Sequence, residues 1–215
     1  MLNDVIFNND KSALDDWNVV LTNKEIPLPT VKTSTVDIQG ADGVLDLSEV
    51  LTGDVKYGNR VLKLTFEVIN NTDFNKVIDD ISNYLHGKKV TVRFSDDELF
   101  YYVGRASINS WECVKRKGKV VITVDCEPYK YAVTESIINV VVNNEEKLVK
   151  LSNGRKVVCP MLDVTGSIIL IVDDVEYELG VGKQQLLNFS LFEGENVVKV
   201  KGTGTIKITY RMGCL

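Results

Sequence analysis

Histidine is nearly missing from this sequence: His86 stands alone among 215 residues, and that scarcity removes much catalytic chemistry at the outset. A Ser-His-Asp or Cys-His site would have to be built on that one residue, and no G-x-S-x-G turn accompanies it. Cysteine is thin as well. Cys113, Cys126, Cys159 and Cys214 show no CxxC spacing and cannot complete a usual zinc set with a single histidine. With a hairpin turn over residues 116–119, Cys113 faces Ile122, and Cys126 lies about 13 Å further along the ladder, too far for a disulfide. The expectation is therefore buried free thiols.

Other absences narrow the field further. No apolar run approaches the roughly 20 residues that span a bilayer. The first ten residues hold Asn3, Asp4 and Asp10 and no basic cluster before an apolar stretch, so no secretory signal is expected, and synthesis in a cytoplasm is. Positive charge is not in excess either. A formal net charge of −5 and a pI near 5.1 give no chain-wide attraction to nucleic acid or anionic membrane. What remains is an ordinary globular composition, 44% hydrophobic and 26% charged, able to bury a real core in one large or two small domains.

The chain reads as many short strands and one clear helix. Phe74, Val77, Ile78, Ile81 and Leu85 recur at three- and four-residue steps, predicting a helix over residues 74–86 with one apolar stripe. Asp73 or Thr72 is placed to cap it and Gly87 to end it. Alternation of Leu62, Leu64, Phe66 and Val68, and of Val90, Val92 and Phe94, predicts half-buried antiparallel strands on either side, and after a turn at Ser95-Asp96-Asp97 further strands are expected at 99–104, 106–114 and 119–127. Residues 31–51 are less regular, with Gly40, Gly43 and Gly53 marking loops. Beyond a boundary near residues 128–134 the pattern is strand only. About eight strands are expected at 137–142, 147–151, 156–164, 167–172, 175–179, 185–191, 197–201 and 205–211, which indicates a β-sandwich. Two domains follow, residues 1–131 and 132–215.

The chemistry-bearing candidates are weak. Acidic pairs occur at Asp15-Asp16, Asp79-Asp80, Asp96-Asp97 and Asp173-Asp174. Adjacent carboxylates on a strand point to opposite faces, and the last pair suits a tight hairpin better than acid–base work. Carboxylate-only hydrolysis is left as a remote reading. Gly180-Val181-Gly182 and Gly202-Thr203-Gly204 fit no phosphate-binding pattern; the second is read as a turn requiring positive φ. His86, at the helix C-terminus, is expected to meet the last carbonyls. The run Lys115-Arg116-Lys117-Gly118-Lys119 is read as a solvated hairpin tip or a contact for an acidic partner. Phe100-Tyr101-Tyr102 puts rings on both faces of one strand, and Trp17 and Trp111 are equally open between core and interface. No catalytic, cofactor or metal residues are assigned.

The order of parts carries more information. IQGADGVLDL (residues 38–47), HGKKVTVRFSDDELFYYVGR (86–105) and VVITVDCEPYKY (120–131) resemble the N-terminal domain of phage distal tail proteins (the Dit family). NGRKVVCPMLDVTGS (153–167) and EGENVVKVKGTGTIKITYRMGCL (193–215) resemble that family's C-terminal domain. The resemblance implies a mainly β protein: an N-terminal split β-barrel with one helix, like tail-tube proteins, then a C-terminal galectin-like β-sandwich. It implies a structural, non-enzymatic component of a siphophage-type virion tail tip, made in the bacterial host cytoplasm. The implied assembly is a homo-hexameric ring joining the tail-tube protein to the baseplate hub or tail-associated tip protein, with tape-measure and receptor-binding proteins as further neighbours. No cofactor, membrane or sequence-specific nucleic acid is implied. A mildly acidic subunit would suit a lumen through which DNA slides. The alternative from another class is a carbohydrate-binding module of a host-recognition device, with Tyr177 and Tyr210 as stacking candidates.

Overall fold

The computed structural model describes residues 4–68, 73–114 and 117–215. The chain divides into two compact units, Met1–Lys130 (with Leu215) and Tyr131–Cys214. The first contains β1 (Val5–Phe7), β2 (Lys11–Ser12), α1 (Ala13–Trp17), β3 (Val19–Glu25), β4 (Val31–Lys32), β5 (Thr35–Asp37), β6 (Val44–Asp46) and β7 (Lys56–Tyr57). It continues with β8 (Arg60–Val68), α2 (Phe74–Leu85), β9 (Lys89–Phe94), β10 (Asp97–Val114) and β11 (Lys117–Cys126). Its main sheet runs in the order β2-β1-β9-β10-β11-β8-β3.

Register explains why this sheet has one dry face. Val5 pairs with Phe94, Tyr102 with Val92, Ala106 with Val124, Ile122 with Leu64 and Val120 with Phe66, so every row places apolar side chains on the same side. All of them are buried in one core. Burying a side chain of this size contributes about 1.5–3 kcal/mol, so alternation alone selects the face. Helix α2 lays Val77, Ile78, Ile81 and Leu85 into that core, as its sequence stripe predicts. Asp73 caps it by accepting from the amides of Asn75 and Lys76. Thr72, the other cap candidate, lies outside the described residues.

Three local features depart from the sequence reading. A second helix, α1, follows Ser12, whose hydroxyl accepts from the Asp15 amide at 2.9 Å. Its five residues are too short to show a helical period. The strands expected at 99–104 and 106–114 are one continuous strand, β10, with a register shift between Ile108 and Ser110. In the β10–β11 hairpin Cys113 faces Gly118, not Ile122, and Cys126 faces Gly104. This widens the gap between the two cysteines, and no described cysteine is in a disulfide.

The second unit contains the end of β12 (Lys130–Ala132), then β13 (Ser136–Asn143), β14 (Lys147–Asn153), β15 (Met161–Val172), β16 (Val175–Leu179), β17 (Gly182–Gln184), β18 (Gly194–Tyr210) and β19 (Gly213–Cys214). One long strand organises it. Residues 194–200 of β18 pair with β14 and residues 203–210 pair with β13, while β15 follows the other edge of β18 across both halves. Val198, Val200, Ile206, Ile208 and Tyr210 share one face of β18, and all lie in a single core with Leu162, Val164, Ile168 and Leu170 of β15. Both halves of the same strand face therefore enclose one core, which requires the ribbon to fold over on itself.

The fold-over lies at glycines. Gly166 pairs with Gly204 and Ile168 with Gly202, on the same inward rows. A Cβ on Gly204 would run into the Thr165 carbonyl oxygen, and one on Gly202 into that of Ser167. Both have positive φ, 146° and 119°, so the conformational demand read from the sequence holds, but the site is a corner inside a strand and not a turn between two. The strands expected at 156–164 and 167–172 are likewise a single β15 from Met161, and residues 185–191 are not a strand; the short β17 precedes them.

Candidate assembly surface

The sequence-level candidates for chemistry are dispersed. Asp16 accepts from the Lys11 ammonium at 2.8 Å and from the Ser12 amide, and these contacts hold its carboxyl below the usual carboxylate range. Asp79 and Asp80 are exposed on α2. Lys24 pairs with Asp96, and Lys130 with Asp97 at 3.0 Å. Asp173 and Asp174, with φ of 49° and 62°, form the two-residue turn that lets Val172 face Val175. Among the described residues no group of three or more His, Cys, Asp or Glu is arranged to hold a metal.

His86 is used structurally, though not as expected. Its Nδ1 accepts from the Ile108 amide at 3.1 Å, at the register shift in β10, while its own amide donates to Ser82. The helix carbonyls do not engage its ring. Of the four thiols only Cys126 is buried; Cys113 is exposed and Cys159 and Cys214 are half-buried, which corrects the expectation of buried thiols throughout. Burial pushes the Cys126 thiol up to about 12. Residues 115 and 116 of the basic run lie outside the described residues.

Aromatic positions resolve individually. Trp17 is buried between Phe7 and Tyr84, and Tyr102 is buried against Phe94. Trp111 stays 54% exposed beside the Phe74 ring. Tyr210 turns inward and donates to the Ser152 carbonyl, and Tyr177 packs on the second core, so neither is an open platform for stacking a sugar.

The surface that stands out is one the sequence reading passed over as irregular. β3 and β8 are antiparallel neighbours, yet residues 26–59 leave the sheet between them. Pro27 and Pro29 stiffen the exit. Two small ladders follow: Val31 with Tyr57 and Lys32 with Lys56, then Thr35 with Asp46, Val36 with Leu45 and Asp37 with Val44. From residue 31 to residue 53 no side chain is buried. Leu51 is 95% exposed, Leu28 75%, Val50 70% and Val44 61%, and Val31, Val36, Ile38 and Leu45 are exposed too. A two-stranded hairpin without a core is marginal in water, so this arm presents an apolar surface that calls for a partner.

Beyond the Lys32–Lys56 rung, the outer part of the arm is charged in one sense. Residues 33–55 hold Asp37, Asp42, Asp46, Glu49 and Asp54 and no Lys or Arg, so these five acids equal the net charge of −5 and the rest of the chain sums to zero. Asp46 accepts from the Ser48 amide and hydroxyl, which lowers its carboxyl and pins the strand end. A run of 23 residues with acids, scattered apolar residues and no period was the signal available in the sequence.

The opposite character belongs to the solvent face of the main sheet. Lys63 pairs with Glu25 at 3.4 Å and Lys89 with Glu127 at 3.1 Å, while Arg105 faces Asp125 and Lys119 faces Glu67 across the ladders. This face is built for water, with its charges balanced pair by pair.

No family model matches the sequence, and no curated protein does. Among solved structures, the Dit protein (gp 19.1) of SPP1 aligns with 99% of this chain and 100% of its own length, at a TM-score of 0.68 and 15% sequence identity. This chain has the Dit fold. The SPP1 Dit structure is described as a paradigm of the hub adsorption apparatus in phages infecting Gram-positive hosts. The match runs through both units, so the fold expected from the resemblance to distal tail proteins is the one found.

Proposed function

We propose that this protein is a non-enzymatic structural component of a phage or prophage tail tip, a distal tail protein whose copies close into a hexameric ring. The observation that carries the reading is the Dit fold extending over 99% of the chain. In this reading residues 1–131 form the ring, and residues 132–215 form an outward-facing, galectin-like sandwich. The ring joins the tail-tube protein to the tail-associated hub protein, with tape-measure and receptor-binding proteins nearby.

Two surfaces support the reading. The apolar arm gives each copy a means of holding another. The charge-balanced sheet face suits a water-filled channel, because alternating pairs offer phosphate neither a basic track nor a strong barrier. That face refines the idea of an acidic lumen, since the net negative charge lies on the arm. The two stacking candidates of the sugar-binding alternative do not support it, since Tyr210 is buried and Tyr177 is half-buried against the second core.

The test is the solution mass of the purified chain by light scattering, with negative-stain images of the same sample. Rings of six, or two stacked rings, around an open channel are expected. A chain that remains monomeric alone and in mixtures with a tail-tube protein would overturn the ring.

A further inference from the structure

We propose that the free edge of β13 pairs antiparallel with the β13 edge of a second copy, in a two-fold contact made by the second unit alone. The contact goes beyond the ring reading and does not depend on it, because it uses none of the surfaces of the first unit.

β13 pairs with β18 along its whole length, and among the described residues no strand lies on its other side. Just past its end, the Asn144 amide donates to the Gly202 carbonyl at 2.8 Å. Backbone groups alternate in direction along an antiparallel ladder, so Ile138, Val140 and Val142 turn theirs to β18 while Ile137, Asn139 and Val141 turn theirs outward. The Lys147 ammonium meets the Val141 carbonyl at 2.7 Å, as that direction requires. The other edges of the two large sheets are guarded. β14 carries Lys147 and Lys150, β16 carries Glu176 and Glu178, and β17 is three residues long with Lys183. β3 has a register shift and ends in Lys24 and Glu25, and β2 and β19 have two residues each. Charge, irregularity and brevity are what keep an edge from recruiting another strand. β13, SIINVVVN, has none of them: it is eight residues long, in continuous register, without charge or proline.

The edge also specifies its occupant. An added strand must continue the core row beside Ile138 and Val140, and match Ile137 and Val141 on the outer face, where both are exposed. β13 itself meets both demands. With Asn139 of one copy opposite Asn139 of the other, Ile137 faces Val141 and Ile138 faces Val140, so every row keeps its face. Ile137 and Val141 flank Asn139 at equal distance. The strand is therefore its own complement about a two-fold axis, which is the condition for an isologous contact. No like charges meet in it, whereas the same pairing would bring lysines together on β14 and glutamates on β16. Lys147 is exposed, and its side chain yields the Val141 carbonyl to the Ile137 amide of the second copy.

The test is the mass of the full chain by light scattering over a concentration series, for wild type, N139K, I137E, V141K and I137E/V141K. The three positions are exposed, and circular dichroism checks that each variant folds. The wild-type mass is expected to double with concentration, whether the unit that doubles is a monomer or a ring. N139K sets two ammonium groups opposite each other, and each other single variant sets a charge against an apolar side chain. Each should raise the midpoint of the doubling on the order of tenfold or more. I137E/V141K should recover most of that loss, since each Glu then meets a Lys of the other copy. A wild-type mass that never doubles, a doubling unchanged in N139K, or a double variant no better than its two singles would each overturn the pairing. Rings that never double would leave the ring reading intact, and a monomer that doubles and goes no further would support the pairing while counting against the ring.

Discussion

At the scale of single residues, environment decides what a side chain does more than its type. Cys126 and Cys113 sit on adjacent strands of one hairpin, yet one is wholly buried and the other exposed. Cys113 should react with a water-soluble disulfide reagent at pH 8 within the mixing time, and Cys126 only at the rate at which the native state opens. Burial raises the Cys126 thiol from its ordinary value near 9 to about 12. A raised folded-state value means that the neutral thiol is favoured by the fold. Its contribution is fully present below pH 9 and is lost as pH climbs towards 12. Urea unfolding should therefore show stability falling by about 1 kcal/mol between pH 9 and 10, with most of that slope absent in Cys126→Ala. A wild-type slope equal to the variant's would contradict the assignment. Tyr102 also has a raised value through burial, which is why the window ends at pH 10. Gly202 and Gly204 make the same point about environment. Their positive φ was legible, but whether a glycine serves a turn or a mid-strand corner depends on the partner strand, which local sequence does not display.

Among the elements, periodicity made α2 and the strands of the main sheet readable, because each buries one face and repeats it. Short or compound elements were not readable in that way. Helix α1 is five residues long, and β10, β15 and β18 run through positions that look like turns in isolation. The arm escaped for the opposite reason: it buries nothing, so it leaves no pattern. The cap of α2 offers a clean check on what was read. Asp73 satisfies two otherwise free amide donors at the helix start, those of Asn75 and Lys76. Asp73→Ala should cost about 1 kcal/mol, seen as a lower urea midpoint at unchanged slope, while Asp73→Asn should keep most of the stability. Equal losses in the two variants would show that the carboxylate's charge, and not its acceptor geometry, is what the helix uses.

For the whole molecule, the decisive feature is that the two hydrophobic cores share no residue. The first is built from residues between Val5 and Cys126 and the second from residues between Val140 and Tyr210. The sequence reading placed a boundary near residues 128–134 because no helical period recurs beyond it and the pattern is strand only. It could not show what closes each core. In the second unit that is the fold-over of one ribbon, a long-range event, and in the first it is seven strands whose spatial order departs from chain order. Two separate cores predict two separable melting events. Residues 131–215 expressed alone should unfold cooperatively. In the full chain Leu162→Ala, at a fully buried position, should remove roughly 2–5 kcal/mol from the second unit. For a unit of this size that is a drop of roughly 10 °C or more in one calorimetric transition, with the other left in place. If instead the whole chain melts in one step and Leu162→Ala lowers it as a whole, the units depend on each other for stability. The division of labour proposed here, a ring from one and an outward module from the other, would then lose its thermodynamic basis.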